Sequence, residues 1–374
     1  MLAQSQIAQY LIAGGLTSPQ CIVDCGFEVS EASRRNRNFK VVCEGGSSYL
    51  IKQCKGPGDA DTLQHEARVY GLLQQIAGDS SLLQYLPRVV KYDANEKVLI
   101  LELLRDALDL RELSQLTNRI SNRIAVALGR ALGSLHRVSG SAMAPAQEIG
   151  LRDHCPWVLS IHRPSLGIFR DTSSANLQVI RIVQNTPGFG SLLDELRESW
   201  RVDALVHNDV KWDNCLVLPN KRLSGEPVLK IVDWEFANLG DSCWDVGTVL
   251  SAFLSSWALS VPVSGQEPAG HFLEFAKYPL ARMHPAIRAF WEGYIEGRGF
   301  CRVESGVFLL RALRFCAARL LQTAFEQMQN STVLASNVVC LIQLSFNLLQ
   351  RPREALIQLV GLSINCEATK LRHE

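Results

Sequence analysis

The chain has 374 residues, 47% hydrophobic and 20% charged, enough to bury an ample core in one two-lobed unit or two domains and too apolar for a disordered segment. A formal net charge of +1 supplies no overall field to gather nucleic acid or an acidic membrane surface, so neither is expected as a partner. Eleven cysteines are scattered singly, odd in number and without Cys-x-x-Cys, which argues against a disulfide framework or a zinc module and for a reducing cytoplasm.

The opening MLAQSQIAQYLIAGG lacks the basic start and apolar core of a signal peptide. Leu2, Ile7, Tyr10 and Leu11 recur at helical spacing, and Gly14–Gly15 ends that helix. From Cys21 to Cys54 the texture is that of strands: IVDCGFEV, then NFKVVCE, a Gly45–Gly46 turn, and SSYLIKQ. Lys52 falls on the strand face that carries Leu50 and Cys54, where a lysine needs a partner. The next helix supplies one. After the breaker GPGD, residues 60–77 form an amphipathic helix with Leu63, Tyr70 and Leu73 on its stripe, and Glu66 sits on that stripe. A lysine and a carboxylate on facing buried surfaces imply a desolvated ion pair.

Pro87, RVVKYD and VLILELL (98–104) read as two further antiparallel strands, and residues 118–138 as a long helix in which His136 is a C-terminal capping residue. Residues 137–206 carry Trp157, Phe169, Phe189 and Trp200, so they are no solvated linker. The chain is organised around HNDVKWDN (207–214) and IVDWE (231–235). A short strand, 204–206, leads into the polar cluster, and CLVL (215–218) returns as VLKIV (228–232) to end at Asp233. That pairing sets Asn214 beside Asp233 with Asp209 one turn upstream, a set of hard oxygen donors that suits magnesium and a phosphoryl group. Beyond it, residues 246–263 are apolar but broken by serines and a proline, which makes a buried helix beneath the site rather than a bilayer span. Four or more helices follow from Phe272, with no repeat or low-complexity tract. Residues 261–374 hold twelve Lys/Arg against nine Glu and no Asp, a local excess of +3.

His-x-Asp-x-x-x-x-Asn followed by a strand ending in Asp resembles the catalytic and metal loops of the protein-kinase-like fold, and Asp-Trp-Glu in the second motif is similar to the aminoglycoside phosphotransferase (choline kinase-like) family. The resemblance implies an α+β, bilobal fold: an N-lobe with a five-stranded antiparallel sheet over 1–101, a hinge at 102–105, and a mostly helical C-lobe over 106–374 whose insertion 137–206 helps shape the acceptor site. It implies ATP and Mg2+ as cofactors. Asp209 then orients the attacking hydroxyl and accepts its proton, Asn214 and Asp233 hold the metal, and the Lys52–Glu66 pair aligns the nucleotide. Glu102 and Leu104 offer hinge backbone to the adenine edge, while His207 anchors backbone. Asp241 and Asp245 of GDSCWDVG brace the catalytic loop, and the missing Ala-Pro-Glu segment leaves no activation loop to phosphorylate.

The glycines with which kinases usually cover the nucleotide phosphates are absent from SEASRRNRN, where Ser30, Ser33, Asn36 and Arg34, Arg35, Arg37 either contact phosphate or form a solvated basic loop. Lys211 stands where Ser/Thr protein kinases keep a lysine that contacts the transferred phosphate. RRNRNFKV, KWDN and GDSCWDVGTVL resemble a subset that phosphorylates Ser/Thr of ribosomally made precursor peptides for a partner lyase. The expected acceptor is therefore a peptide hydroxyl; a small-molecule alcohol such as an aminoglycoside, sugar or choline is the alternative, and a nucleotide-binding pseudokinase scaffold the third reading.

Overall fold

The computed structural model describes residues 2–32, 37–54, 56, 59–78, 80–165, 172–218, 227–262 and 272–363. Ser33, Arg34, Arg35 and Asn36 of the basic loop, and Phe169, lie outside them. The chain divides into two compact units, one of residues 1–109 with 214–237 and one of 110–213 with 238–374.

The first unit opens with α1 (Ile7–Ala13), which buries Ile7 and Leu11. The texture from Cys21 suggests a strand already at Ile22, but Pro19–Asp24 form α2 instead. Ser18 accepts the Cys21 amide at 3.1 Å and Pro19 fills the first turn, a start signal that outweighs the β-branched pair Ile22–Val23. β1 (Phe27–Glu31) begins only after Gly26, whose φ of 62° turns the chain. β2 (Arg37–Cys43) and β3 (Tyr49–Gln53) follow, then α3 (Asp59–Ala77), β4 (Val89–Asp93) and β5 (Val98–Glu102). The antiparallel order is β1-β2-β3-β5-β4. Phe39, Val41, Tyr49, Ile51, Val98 and Ile100 form a core with Ile7 and Leu11 on one face. Lys52 alternates to the other face, paired in register with Asn38 and Leu99. The short β6 (Leu108–Asp109) pairs with Cys215–Leu218, which pairs in turn with Val228–Ile231 as the expected hairpin.

The second unit is helical: α4 (Leu110–Thr117), α5 (Asn122–Gly140), α6 (Met143–Glu148), α7 (Ser174–Asn185), α8 (Phe189–Glu198), α9 (Ser242–Leu259), α10 (Leu280–Arg298), α11 (Arg302–Gln327) and α12 (Ser336–Gln350). A two-stranded ladder joins Ala204–Val206 to Asn238–Gly240. α5 and α10 pack at backbone contact. A Cβ at Gly129 or Gly133 of α5 would strike the backbone of residues 290–298, and one at Gly293 or Gly297 would strike that of Val126 or Arg130. His136 is no cap: it lies fully buried within α5, where its ring nitrogens meet the Tyr294 hydroxyl at 3.0 Å and Asp245 Oδ2 at 3.2 Å. Trp157, Phe189 and Trp200 of the 137–206 segment face Phe325, Phe346 and Phe315. Among the described residues no helix is long and apolar enough to cross a membrane. The α+β class, with its antiparallel five-stranded sheet and mostly helical remainder, is the one the sequence leads one to expect.

Candidate active site

In the first unit, Lys52 is 5% exposed, too deep to carry a charge without partners. Its Nζ donates to Glu66 Oε1 at 2.8 Å, to Glu66 Oε2 at 2.9 Å and to Asp233 Oδ1 at 2.7 Å. α3 presents Glu66, fully buried, from the same stripe as Leu63, Tyr70 and Leu73. Burial alone would depress the Lys52 ammonium, but the carboxylates of Glu66 and Asp233 outweigh it and hold it raised. Burial pushes the Glu66 carboxyl up, against the pull of Lys52.

Asp233 adopts the left-handed conformation (φ 69°, ψ 60°) just past the hairpin, a geometry Asp tolerates better than most residues. Trp234 anchors the turn: it is buried, its Nε1 donates to Ile231 O at 3.0 Å, and its ring meets Tyr70 edge-on at 6.5 Å. On the partner strand, Asn214 O accepts the Val232 amide at 3.0 Å, which sets Asn214 one residue out of register with Asp233. One ammonium is thus shared by two carboxylates, those of Glu66 and Asp233. With an amide oxygen from Asn214 nearby in the hairpin, the donors are hard oxygens of the kind Mg2+ takes. Among the described residues no group of three or more His, Cys, Asp or Glu makes a metal cage, so such an ion would draw further ligands from phosphate and water.

Glu102 and Leu104 stand apart from this triad, at the end of β5. The amides of Glu102 and Leu103 are spent on Arg88 O and Ser48 O, both at 2.9 Å. The Leu104 amide has no partner among the described residues. Glu102 Oε1 accepts the Arg88 amide at 2.8 Å, with Lys230 Nζ 3.9 Å away.

In the second unit, the strand Ala204–Val206 delivers the chain to a carboxylate. Asp245 Oδ2 accepts the His207 amide at 2.7 Å, and Oδ1 the Asn208 amide at 3.0 Å. Asn208 takes φ 65°, turning the backbone so that Asp209 N reaches His207 Nδ1 at 3.3 Å. His207 thus anchors backbone, and Asp245 braces the loop from the first turn of α9. Asp241 caps α9 through Cys243 N at 3.0 Å, accepts Arg201 N at 3.0 Å and pairs with Arg311. Burial raises its carboxyl against the pull of Arg311.

Asp209 and Lys211 are brought together: Lys211 Nζ lies 2.6 Å from Asp209 Oδ2. Asp209 Oδ1 faces Arg319 Nη2 at 3.5 Å, and Arg319 Nη1 is held by Glu326 Oε1 at 2.8 Å. Neither Arg319 nor Glu326 emerges from motif reading, because they lie more than a hundred residues downstream in α11. The one signal is an arginine flanked by the apolar Ala317, Ala318, Leu320 and Leu321, with Gln322, Thr323 and Glu326 one and two turns on along its own face.

The sequence profile of the phosphotransferase enzyme family (APH) matches residues 28–283. A comparison with curated protein sequences returned no match. Among solved structures, choline kinase from Cryptosporidium parvum aligns with a TM-score of 0.53 and 13% identity, covering 94% of this chain and 96% of that one. Amicoumacin kinase hAmiN, solved with AMP-PNP, Ca2+ and Ami, gives 0.51 and 13%, covering 94% and 96%. Choline kinase LicA from Streptococcus pneumoniae gives 0.50 and 15%, covering 92% and 98%. At these identities the likeness is one of fold.

Proposed function

Because the chain belongs to the phosphotransferase enzyme family, we propose that it moves the γ-phosphoryl group of ATP to an alcohol hydroxyl, with Asp209 receiving the hydroxyl proton. The carrying observation is Lys52, a buried ammonium shared by Glu66 and Asp233. Such a lysine, fixed by two carboxylates on different elements, is pre-positioned to meet phosphate oxygens at little entropic cost.

Asn214 and Asp233 would hold Mg2+, which when bound supplies charge neutralisation to the phosphates. The chain's own residues do the rest. Lys52, fixed by Glu66, orients the phosphates. The unpartnered Leu104 amide is the donor available to an adenine edge. Asp209 accepts a hydrogen bond from the acceptor hydroxyl; as the new O–P bond forms and the bond to the leaving ADP oxygen breaks, the proton passes to its carboxylate. Lys211, already on Asp209, faces the charge that grows on the transferring group. The buried Asp245 carboxylate keeps the turn before Asp209 in place through its bonds to the amides of residues 207 and 208. Intact Lys52, Glu66, Asp209, Asn214 and Asp233 disfavour a pseudokinase scaffold.

For the acceptor we keep a Ser or Thr hydroxyl of a precursor peptide, supported by the Lys211–Asp209 contact and by the net basic region 261–374. A small-molecule alcohol is the second reading, favoured by a cavity of about 250 Å³ beside Lys211. The substrates named for the structural neighbours, choline and amicoumacin, belong to this second class. The test is mass spectrometry of Ser/Thr peptides, aminoglycosides and choline incubated with the protein, ATP and Mg2+. Phosphorylated peptide is the expected product; phosphorylation confined to the small molecules would replace the peptide, and no product from any acceptor would remove the transferase reading.

A further inference from the structure

The cavity beside Lys211 lies wholly within the second unit, walled by α4 and the turn after it, α9, the start of α10 and α11. Its charge is lopsided. Five cationic side chains line it, against the single carboxylate of Glu326. That carboxylate is taken by Arg319 at 2.8 Å, Lys211 is engaged by Asp209, and Arg111 by Asp213 at 2.7 Å. Arg119 and Arg282 remain, exposed at the rim, with no acidic partner among the described residues.

The floor adds an independent requirement. Trp212 is 5% exposed and lines the cavity, with its ring edge-on to Phe253 at 5.2 Å. Its Nε1–H is buried without an acceptor among the described residues. An indole can only donate, and a desolvated donor left unmet is costly. Among the described residues, two guanidinium groups without an acidic partner and an N–H without an acceptor ask for the same chemistry.

Resting on the phosphotransferase reading above, we propose that this cavity selects acceptors carrying a carboxylate close to the hydroxyl to be phosphorylated, with Arg119 and Arg282 receiving the carboxylate and Trp212 donating to an acceptor oxygen. Cationic acceptors are then excluded by charge. Opposite charges at a rim steer encounter and fix register, whereas like charges reject a ligand. The carboxylate comes from an acidic residue beside the target Ser or Thr in a peptide, or from a small hydroxy acid; the shared chemistry is the anion.

The experiment uses the full chain and peptides that differ only in the residue next to Ser, either Glu, Gln or Lys, together with glycerate and glycerol, and choline as the cation. Phosphoryl transfer from ATP is followed by mass spectrometry. Binding of the same peptides with Ala in place of Ser is measured by calorimetry, so that it does not depend on turnover. Glu peptides or glycerate are expected to be preferred over their neutral partners, and which of them is used identifies the source. Arg282→Glu should weaken the Glu peptide about tenfold and strengthen the Lys peptide, with Arg119→Glu a second, equally exposed variant acting in the same direction. Transfer that favours neutral or cationic acceptors, or affinities that ignore both charge reversals, would overturn the proposal and leave the phosphotransferase standing. Charge-dependent binding with no transfer to any acceptor would support the cavity's selectivity and defeat the phosphotransferase reading.

Discussion

Arg319 reaches Asp209 across 110 residues of sequence, its Nη2 3.5 Å from Oδ1, while Lys211 holds Oδ2 at 2.6 Å. The carboxylate is therefore oriented from both sides before any acceptor arrives. Replacing the buried arginine by Gln leaves Glu326 without its ion pair and frees one side of Asp209. Removing a hydrogen bond to a charged group costs about 1.5–3 kcal/mol, which for a group oriented in the transition state is about ten- to a hundredfold in kcat. KM for ATP should hold, and Arg319→Lys should recover part of the loss. A kcat unchanged in Arg319→Gln would show that Arg319 acts only in packing.

Lys211→Ala should lower kcat more than it raises the acceptor KM, since the ammonium faces charge that develops during transfer. Asp209→Asn is the more severe change, because the hydroxyl loses its proton acceptor and its orientation together. Steady-state kinetics on the two variants, with equal losses or the reverse order, would contradict these roles.

Lys52 and Glu66 should behave as one unit. In a double-mutant cycle of Lys52→Ala and Glu66→Ala, read as log kcat/KM for ATP, the second substitution is expected to add little to the first, with a coupling of about 1–3 kcal/mol. Additive effects would mean that the pair does not align nucleotide.

Glu66 also predicts a pH signature. Burial already raises its carboxyl, and Lys52 opposes that rise. Lys52→Met removes the opposition, so the folded value moves further above the unfolded value near ~4.3. A carboxyl raised on folding costs nothing below its unfolded value, where it is protonated in both states, and costs more as pH climbs toward its folded value. Since the carboxyl is raised in both proteins, the stability deficit of Lys52→Met against the unsubstituted protein should widen as pH climbs past the folded value of the unsubstituted protein, by up to about 1.4 kcal/mol for each pH unit spanned. Urea unfolding at matched pH measures it; a deficit independent of pH would mean that Glu66 finds another partner.

Asp233→Ala and Asn214→Ala should both abolish Mg2+-dependent turnover while nucleotide binding without metal persists, as calorimetry in the presence of a chelator would show. Near-normal turnover in Asp233→Ala would remove the metal assignment.

The parts legible in the sequence are those fixed by short-range pattern. The hairpin between Cys215 and Ile231, the alternation that turns Lys52 away from Ile51, and the stripe that buries Glu66 all follow from periods of two and of 3.6 residues. Helix α2 shows where pattern misleads, because Ser18 and Pro19 start a helix through residues that look like a strand. His136 and Arg319 were beyond reach for another reason. Each sits on a helix whose local sequence does not name its distant partner, since Asp245 lies 109 residues from His136 and Asp209 lies 110 from Arg319.

The backbone contact between α5 and α10 reaches further than packing. Four glycines let the two helices meet without side chains between them, and the residue that reads their separation is His136, rooted in α5 and touching both Tyr294 of α10 and the Asp245 carboxylate that carries the amides of residues 207 and 208. The interhelical spacing thus works as a calibration for the loop that ends in Asp209. A methyl group added at Gly129 or Gly293 would strike the facing backbone and have to pry the helices apart, moving His136 and with it the Asp245 carboxylate. The side chains these glycines lack are the length standard by which Asp209 is set.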